Sequence, residues 1–144
     1  MFILLIAVGL FCSAYSQCNP DLWEHIYHPK RLVVKEACKT VKGIVYHRKK
    51  EADGDWHIRL RLAKEDMHLL NQRNYENQDT CLVIEIICCN KVTQADAIAS
   101  CQGCDSVRVP KKGDYVEVTG AYVWDNENAT HGWMETPCFK HKDP

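Results

Sequence analysis

Cysteine content constrains this chain more than any other feature. Its 144 residues include nine cysteines, of which Cys12 lies in an apolar run near the amino terminus. Eight remain beyond that run, and an even number in a short exported chain is typical of a disulfide framework. The eight are Cys18, Cys38, Cys81, Cys88, Cys89, Cys101, Cys104 and Cys138. Eight cysteines allow roughly a hundred pairings, so the sequence leaves the connectivity open.

The apolar run itself predicts a signal peptide. Residues 2–11 are apolar, and the small residues Ala14 and Ser16 follow, as a signal peptidase requires. We therefore predict a signal peptide over residues 1–16 and an extracellular location for a single domain over residues 17–144. The run is shorter than the ~20 apolar residues that span a bilayer, and no later segment is apolar enough to cross one.

Net charge limits the classes of partner, and length limits the number of domains. The net charge is −1, with 18 Lys and Arg against 19 Asp and Glu. Long-range attraction to nucleic acid or to an anionic membrane is therefore weak, and net charge does not favour nucleic acid as a partner. The mature length of about 128 residues suits one domain with one hydrophobic core.

Alternation of apolar and polar residues predicts β-strands. The clearest strand follows an Asp53-Gly54 hairpin turn. It places Trp56, Ile58, Leu60 and Leu62 on one face and His57, Arg59 and Arg61 on the other. Further strands are predicted over residues 38–49, 81–88 and 115–124 and from Gly132 onward. The strand over residues 81–88 is apolar enough to be buried on both faces.

Two helices complete the predicted order of elements. Asn19 and Pro20 form the start signal of a short amino-terminal helix. A capping pattern at Thr93 predicts an amphipathic helix to about residue 102, between strands three and four, while residues 64–79 read as a long connection. We predict a mainly β fold, a disulfide-stabilised, five-stranded Greek-key barrel of the OB type. A small β-sandwich is the alternative.

Four short motifs resemble a family of small exported, OB-fold-like proteins of unassigned function. The motifs are His28-Pro29-Lys30-Arg31-Leu32, Asp53-Gly54-Asp55-Trp56-His57, Thr93-Gln94-Ala95-Asp96-Ala97 and His131-Gly132-Trp133-Met134-Glu135. The resemblance runs from about Leu22 to Glu135 and implies the fold and export, without an activity. In that family the last motif continues with Ile-His-Pro, whereas Thr136-Pro137-Cys138 stands here, so one histidine is missing.

Titratable and aromatic residues gather on two loops that an OB barrel brings to one mouth. In such barrels these loops, after strand one and between strands four and five, commonly form the ligand site. The predicted ligand-binding residues are Asp53, Asp55, His57, Arg59, Trp124, Asp125, His131, Trp133 and Glu135. Trp124 and Trp133 are expected to be exposed, whereas Trp56 shares a face with core residues. The alternative is that Asp53-Gly54 is only a turn and that His57 shares a solvated face with the arginines.

Those residue types point to a divalent metal as a candidate cofactor. Carboxylates and imidazoles ligate such metals, and Asp53, Asp55, His57 and His131 are the predicted ligands. The same groups can act as general acids and bases, although the sequence identifies no catalytic residue.

The sequence favours a secreted binding domain for an extracellular oligosaccharide, oligonucleotide or metal. One alternative is a metal-dependent, nuclease-like hydrolase that uses Asp53, Asp55, His57, His131 and Glu135. The other is a structural component of an extracellular matrix.

Two further motifs bear on modification. Cys88-Cys89 and Cys101-x-x-Cys104 can hold a structural zinc or form disulfides, and export favours disulfides. We predict a bridge from Cys88 or Cys89 to Cys101 or Cys104, which ties the following helix to the third strand. Asn128-Ala129-Thr130 is an acceptor for N-glycosylation if the source is eukaryotic.

Overall fold

The computed structural model describes Cys18 and residues 20–102, 109–126 and 132–136, with positions 21, 22 and 132–136 described by their backbone. The described chain is mainly β, as predicted. Its strands are β1 (Leu32–Lys50), β2 (Trp56–Leu62), β3 (Leu82–Ile86), β4 (Tyr115–Asp125) and β5 (Gly132–Thr136). Short 3-10 helices span Pro20–His25, Pro29–Arg31, Lys64–Leu69 and Ala95–Ala97, and the α-helix α1 spans Gln72–Asn77.

The strands close into a ring in the order β1-β2-β3-β5-β4. β1 pairs antiparallel with both β2 and β4, β2 pairs antiparallel with β3, and β4 pairs antiparallel with β5. The pairing of β3 with β5 is parallel. This ring places β2 and β3 side by side, with the β1–β2 turn at one end of both.

Alternating residues of β2 fill the interior of the ring. Ile58 and Leu60 are 2% and 0% exposed, and they pack with Val45, Leu82 and Ile84. The predicted strand and its inward face are confirmed. Complete burial of one such side chain contributes about 1.5–3 kcal/mol. Gly43 lets β1 approach β2, because a Cβ there would lie 2.2 Å from the carbonyl oxygen of Arg61.

The helices differ from the predictions. The amphipathic helix predicted from Thr93 to about residue 102 is wrong over the described residues, where a single 3-10 turn, Ala95–Ala97, lies without a side-chain cap. Backbone N–H groups of Thr93 and Gln94 donate instead to the carbonyl oxygen of Ala52, 2.8 and 2.9 Å away, which fixes the segment on the β1–β2 turn.

The α-helix lies in the stretch predicted as a connection. Asn71 caps α1 by accepting from the backbone N–H of Asn74, and the Asn74 side chain accepts from the N–H of Asn71. Asn74 is buried and also donates to the carbonyl oxygen of Cys81, 3.0 Å away. These contacts give a short polar helix a fixed place beside β3.

Disulfides join Cys18 to Cys38 and Cys88 to Cys101. The second bridge confirms the predicted link between the end of β3 and the segment that follows. Cys89 is also disulfide-bonded. The expectation that all eight cysteines pair is wrong at Cys81, a fully buried free thiol that donates to the carbonyl oxygen of Asp79, 3.5 Å away.

Cys104 and Cys138 lie outside the described residues. Among the helices that the structure describes, none has the length and apolar character needed to cross a membrane.

Candidate functional site

The turn between β1 and β2 is tight, as the Asp-Gly pair predicts. Gly54 has a φ of +105°, which favours glycine, and its N–H donates to the carbonyl oxygen of Glu51. The Asp53 side chain accepts from the backbone N–H of Asp55 at 3.2 Å. Asp53 therefore supports the turn.

The turn is also fixed to the segment that follows β3. The carbonyl oxygen of Gly54 accepts from the N–H of Asn90 at 2.8 Å. A Cβ on Gly54 would lie 2.8 Å from Cγ2 of Val92 and 3.3 Å from Sγ of Cys101. These contacts close the turn against the disulfide, so it is held in one conformation and its backbone is covered on that side.

Asp55 lies at the junction of the turn and β2. Its Oδ1 accepts from the backbone N–H of Cys88 at 2.7 Å. The pKa of the Asp55 carboxyl is raised to about 7, mainly by burial. The hydrogen bond from the Cys88 N–H lowers this pKa, and the Asp53 charge raises it by a smaller amount. The carboxyl is therefore half protonated near neutral pH.

His57 and Glu85 face each other across β2 and β3. They are directly opposite in register, and His57 Nδ1 lies 3.0 Å from Oε1 of Glu85. The exposed fractions of their side chains are 20% and 8%. Burial lowers the pKa of His57, and burial followed by the charges of Asp55 and Asp53 raises the pKa of Glu85 well above its ordinary value. The pair therefore favours its neutral form, with a proton between the two atoms.

The second carboxylate oxygen of Glu85 is the exceptional atom of the site. Oε2 is buried and has no hydrogen-bond partner among the residues that the structure describes. A buried polar atom in this state costs about 1–3 kcal/mol, more when it is charged. Buried polar atoms without a partner are rare in native proteins, and a role in binding a ligand would account for this one.

A second small core explains why Glu85 is buried. Side chains alternate along β3, so Glu85 and Val83 share the outer face of the ring. Trp23, from the 3-10 helix Pro20–His25, and Leu32 pack against Val83, Ala121 and Val123 on that face. Glu85 is two residues from Val83 on the same face, and it is 6% exposed.

Two other predicted site residues, Arg59 and Asp125, are engaged in the fold. Arg59 forms an ion pair with Asp79 and donates to Oε1 of Gln78 at 3.1 Å. Asp125 is fully buried, and its Oδ2 lies 3.6 Å from Nε of Arg31. Both side chains are therefore held by contacts within the fold.

The expectation that Trp124 is exposed is wrong. Its ring packs against the interior of the barrel, and Nε1 donates to the hydroxyl oxygen of Tyr122 at 3.1 Å. Nζ of Lys35 lies 3.8 Å from the ring centroid. Trp124 and Tyr122 are two residues apart on one strand and therefore share its inner face.

The remaining predicted residues belong to β5 or lie outside the described residues. His131 and Asn128 lie outside the described residues, so the proximity of His57 and His131 stays a prediction. Trp133 and Glu135 belong to β5, where their backbones stand opposite Val83 and Glu85 respectively. His57, Glu85 and Glu135 thus occupy one cross-strand row.

Sequence reasoning missed Glu85. The strand over residues 81–88 was predicted to be buried on both faces, and Glu85 is the one charged residue within that apolar run. A charge at such a position needs a partner or a ligand, because isolated buried carboxylates are costly. That signal was available in the sequence.

Comparisons of the chain with protein-family models, with curated proteins and with solved structures found no match.

Proposed function

We propose that this chain is an exported binding domain of the OB type and that it binds a divalent cation at Glu85 and His57. The strand order β1-β2-β3-β5-β4 with a parallel β3–β5 pair supports the OB assignment, since it agrees with a five-stranded Greek-key barrel. OB domains commonly bind ligands on the face of strands two and three, and His57 and Glu85 lie on β2 and β3. The disulfides and the apolar amino-terminal run support export.

The observation that carries the proposal is Oε2 of Glu85, buried beside an imidazole without a hydrogen-bond partner in the described part of the chain. A carboxylate oxygen and an imidazole nitrogen are ordinary ligands of Zn²⁺. A bound cation would satisfy this oxygen and offset the cost of its burial. It would also displace the proton that the pair holds in its neutral form.

The surrounding charges favour a cation over the other ligand classes. The charges of Asp55, Asp53 and Glu51 each raise the pKa of Glu85, and each does so by more than Arg31 lowers it. The net effect of these charges at the Glu85 carboxyl group is therefore a negative potential. That potential opposes an anionic oligonucleotide. Trp124, one of the aromatic residues expected to be exposed, is half-buried against the barrel interior, so less of its ring is open to stack on a sugar. A cation is the ligand that the described contacts favour.

Equilibrium dialysis of the full chain against Zn²⁺, Mn²⁺ and Ca²⁺ tests the proposal. We expect one equivalent of at least one cation to bind, with an affinity that rises with pH as Glu85 loses its proton. Glu85→Gln should reduce that affinity at least about tenfold. The matched control is Glu117→Gln, because Glu117 is exposed and pairs with Lys42. Unchanged binding in Glu85→Gln, or no binding of any of the three cations, contradicts the proposal.

A metal-dependent hydrolase is the second candidate. The observation in its favour is that Asp55, His57 and Glu85 are neighbours whose pKa values are all shifted, as is common at catalytic sites. Cation-dependent hydrolysis of a phosphodiester that is lost in both His57→Asn and Glu85→Gln would favour this candidate. Cation binding without hydrolysis would exclude the hydrolase and favour the binding domain.

A further inference from the structure

A second group of metal-ligating side chains surrounds the disulfide after β3. The ligand atoms of Asp55, Cys88 and Cys101 all lie within 4.8 Å of one another. Cys88 and Cys101 are joined, with their Cα atoms 5.1 Å apart. In this oxidised state neither sulfur is a thiolate, which is the form that ligates metals.

Oxygen atoms face both sulfurs. Sγ of Cys88 lies 3.6 Å from the carbonyl oxygen of His25 and 3.7 Å from that of Ser100. Sγ of Cys101 lies 3.4 Å from the carbonyl oxygen of Asp53. These oxygens are the negative ends of peptide dipoles, and the Asp55 carboxyl adds a fourth acceptor. Surroundings of this kind suit a cation between the sulfurs.

We infer that reduction of the Cys88–Cys101 disulfide turns this group into a Zn²⁺ site whose ligands are the two thiolates and the Asp55 carboxylate. A dithiol reductant supplies two electrons and two protons, so that the S–S bond becomes two thiols and the reductant becomes a cyclic disulfide. Zn²⁺ then displaces both thiol protons to solvent as two Zn–S bonds form.

The spacing of the two cysteines fits this exchange. Zn–S bonds of about 2.3 Å in a tetrahedral site place two sulfurs about 3.8 Å apart. Cysteines with Cα atoms 5.1 Å apart reach that separation by rotation about their Cα–Cβ bonds. Three protein ligands leave a fourth position for water. Cys101 is partly exposed, whereas Cys88 is buried.

The exchange would preserve an existing link in the fold. Asp55 already accepts from the N–H of Cys88, which ties the β1–β2 turn to the end of β3. In the oxidised chain the disulfide completes this junction, and in the reduced chain the metal would take its place. This site is distinct from the proposed Glu85 site, because it has different ligands and requires the reduced state.

Cobalt spectroscopy tests the inference, since thiolate ligands give Co²⁺ a charge-transfer absorption band that carboxylates do not. The full chain is reduced with a dithiol without denaturant, freed of the reductant under anaerobic conditions and titrated with Co²⁺. We expect the reduced protein to keep its β-sheet circular dichroism and to bind one more equivalent than the oxidised protein, with the thiolate band. Zn²⁺ should then displace the cobalt and remove the band.

Variants separate this site from other thiols and from the proposed function. The pair Cys88→Ser/Cys101→Ser should lack the band, and Asp55→Asn should weaken cobalt binding at least about tenfold. Cys18→Ser/Cys38→Ser should keep the band, as should Glu85→Gln, which removes only the site of the proposed function. No band, an equal band in Cys88→Ser/Cys101→Ser, or loss of the β-sheet signal on reduction would each overturn the inference.

Discussion

Nδ1 of His57 lies 3.0 Å from Oε1 of Glu85, and the two residues are directly opposite in β2 and β3. Burial disfavours the charged form of each group, so the pair holds a proton between two atoms that are both metal ligands. The remaining oxygen of Glu85 is buried and unpartnered within the described ranges. This relationship between β2 and β3 is the basis of the proposal that Glu85 and His57 bind a cation.

Glu85→Gln should stabilise the cation-free protein at high pH. The folded state holds the Glu85 proton at pH values where the unfolded state has released it, because the folded-state pKa is raised. Stability is therefore greatest below the ordinary pKa of the group and falls as pH rises. A neutral amide avoids this loss, so in the presence of a chelator we expect Glu85→Gln to gain about 1–4 kcal/mol at pH 8 and much less at pH 5. Urea denaturation at both pH values measures the difference. A Glu85→Gln protein less stable than the parent at pH 8 would refute the assignment.

Asp55→Asn should flatten the dependence of stability on pH. The pKa of Asp55 is raised from 3.8 to about 7, so its contribution to stability falls between about pH 4 and pH 7. One pKa unit corresponds to 1.36 kcal/mol, which limits the fall to about 4 kcal/mol. Asparagine keeps the oxygen that accepts from the Cys88 N–H and does not ionise. Thermal unfolding of the parent and of Asp55→Asn across this pH range, with a chelator present, measures how steeply the stability of each protein falls with pH.

The control for that experiment is Asp53→Asn. Asparagine retains the oxygen that accepts from the Asp55 N–H, and Asp53 is one of the charges that raise the pKa of Asp55. This variant should reduce the slope only slightly. Equal slopes in Asp55→Asn and the parent would exclude Asp55 as the titrating group.

Gly54→Ala should destabilise the fold more than Gly113→Ala. Both glycines have positive φ, +105° and +92°, so both substitutions introduce backbone strain. Only at Gly54 does the new Cβ meet other atoms, because nothing lies within 4 Å of a Cβ at Gly113. We expect a difference of about 1–3 kcal/mol in the free energy of unfolding, measured by urea denaturation. Equal losses would mean that the turn is not packed against Val92 and Cys101.

Ile58→Ala should cost about 2–5 kcal/mol, because it opens a cavity in the centre of the barrel. The control is Ile44→Ala, the same substitution on the outer surface, where Ile44 is 48% exposed. Its expected effect is within about 0.5 kcal/mol. Similar losses for both variants would contradict the assigned inner face of the strands.

Local patterns predicted β2 well because alternation is a property of neighbouring residues. Ile58 and Leu60 face the core because their positions alternate with polar ones, and Gly54 marks the turn because of its positive φ. The segment after Thr93 did not follow its local pattern. The Cys88–Cys101 disulfide and the hydrogen bonds to Ala52 come from distant parts of the chain, and they hold the segment in a 3-10 turn.

The candidate site depended on distant contacts even more strongly. The sequence singled out Asp55 and His57, but their partners Cys88 and Glu85 are set by the register of β2 with β3, which periodicity does not give. Trp124 was predicted to be exposed, and the ring packs inward because it shares the inner face with Tyr122. Glu85 differs from the other site residues, because its position is marked in the sequence as the one charge within an apolar strand.

The proposed site requires Oε2 of Glu85 to ligate a cation. Anomalous X-ray diffraction from crystals of the oxidised full chain grown with Zn²⁺ measures this directly. We predict an anomalous peak about 2.0–2.2 Å from Oε2 of Glu85 that is absent from crystals of Glu85→Gln. A map with no peak beside Glu85, or a peak there that persists in Glu85→Gln, would contradict the claim.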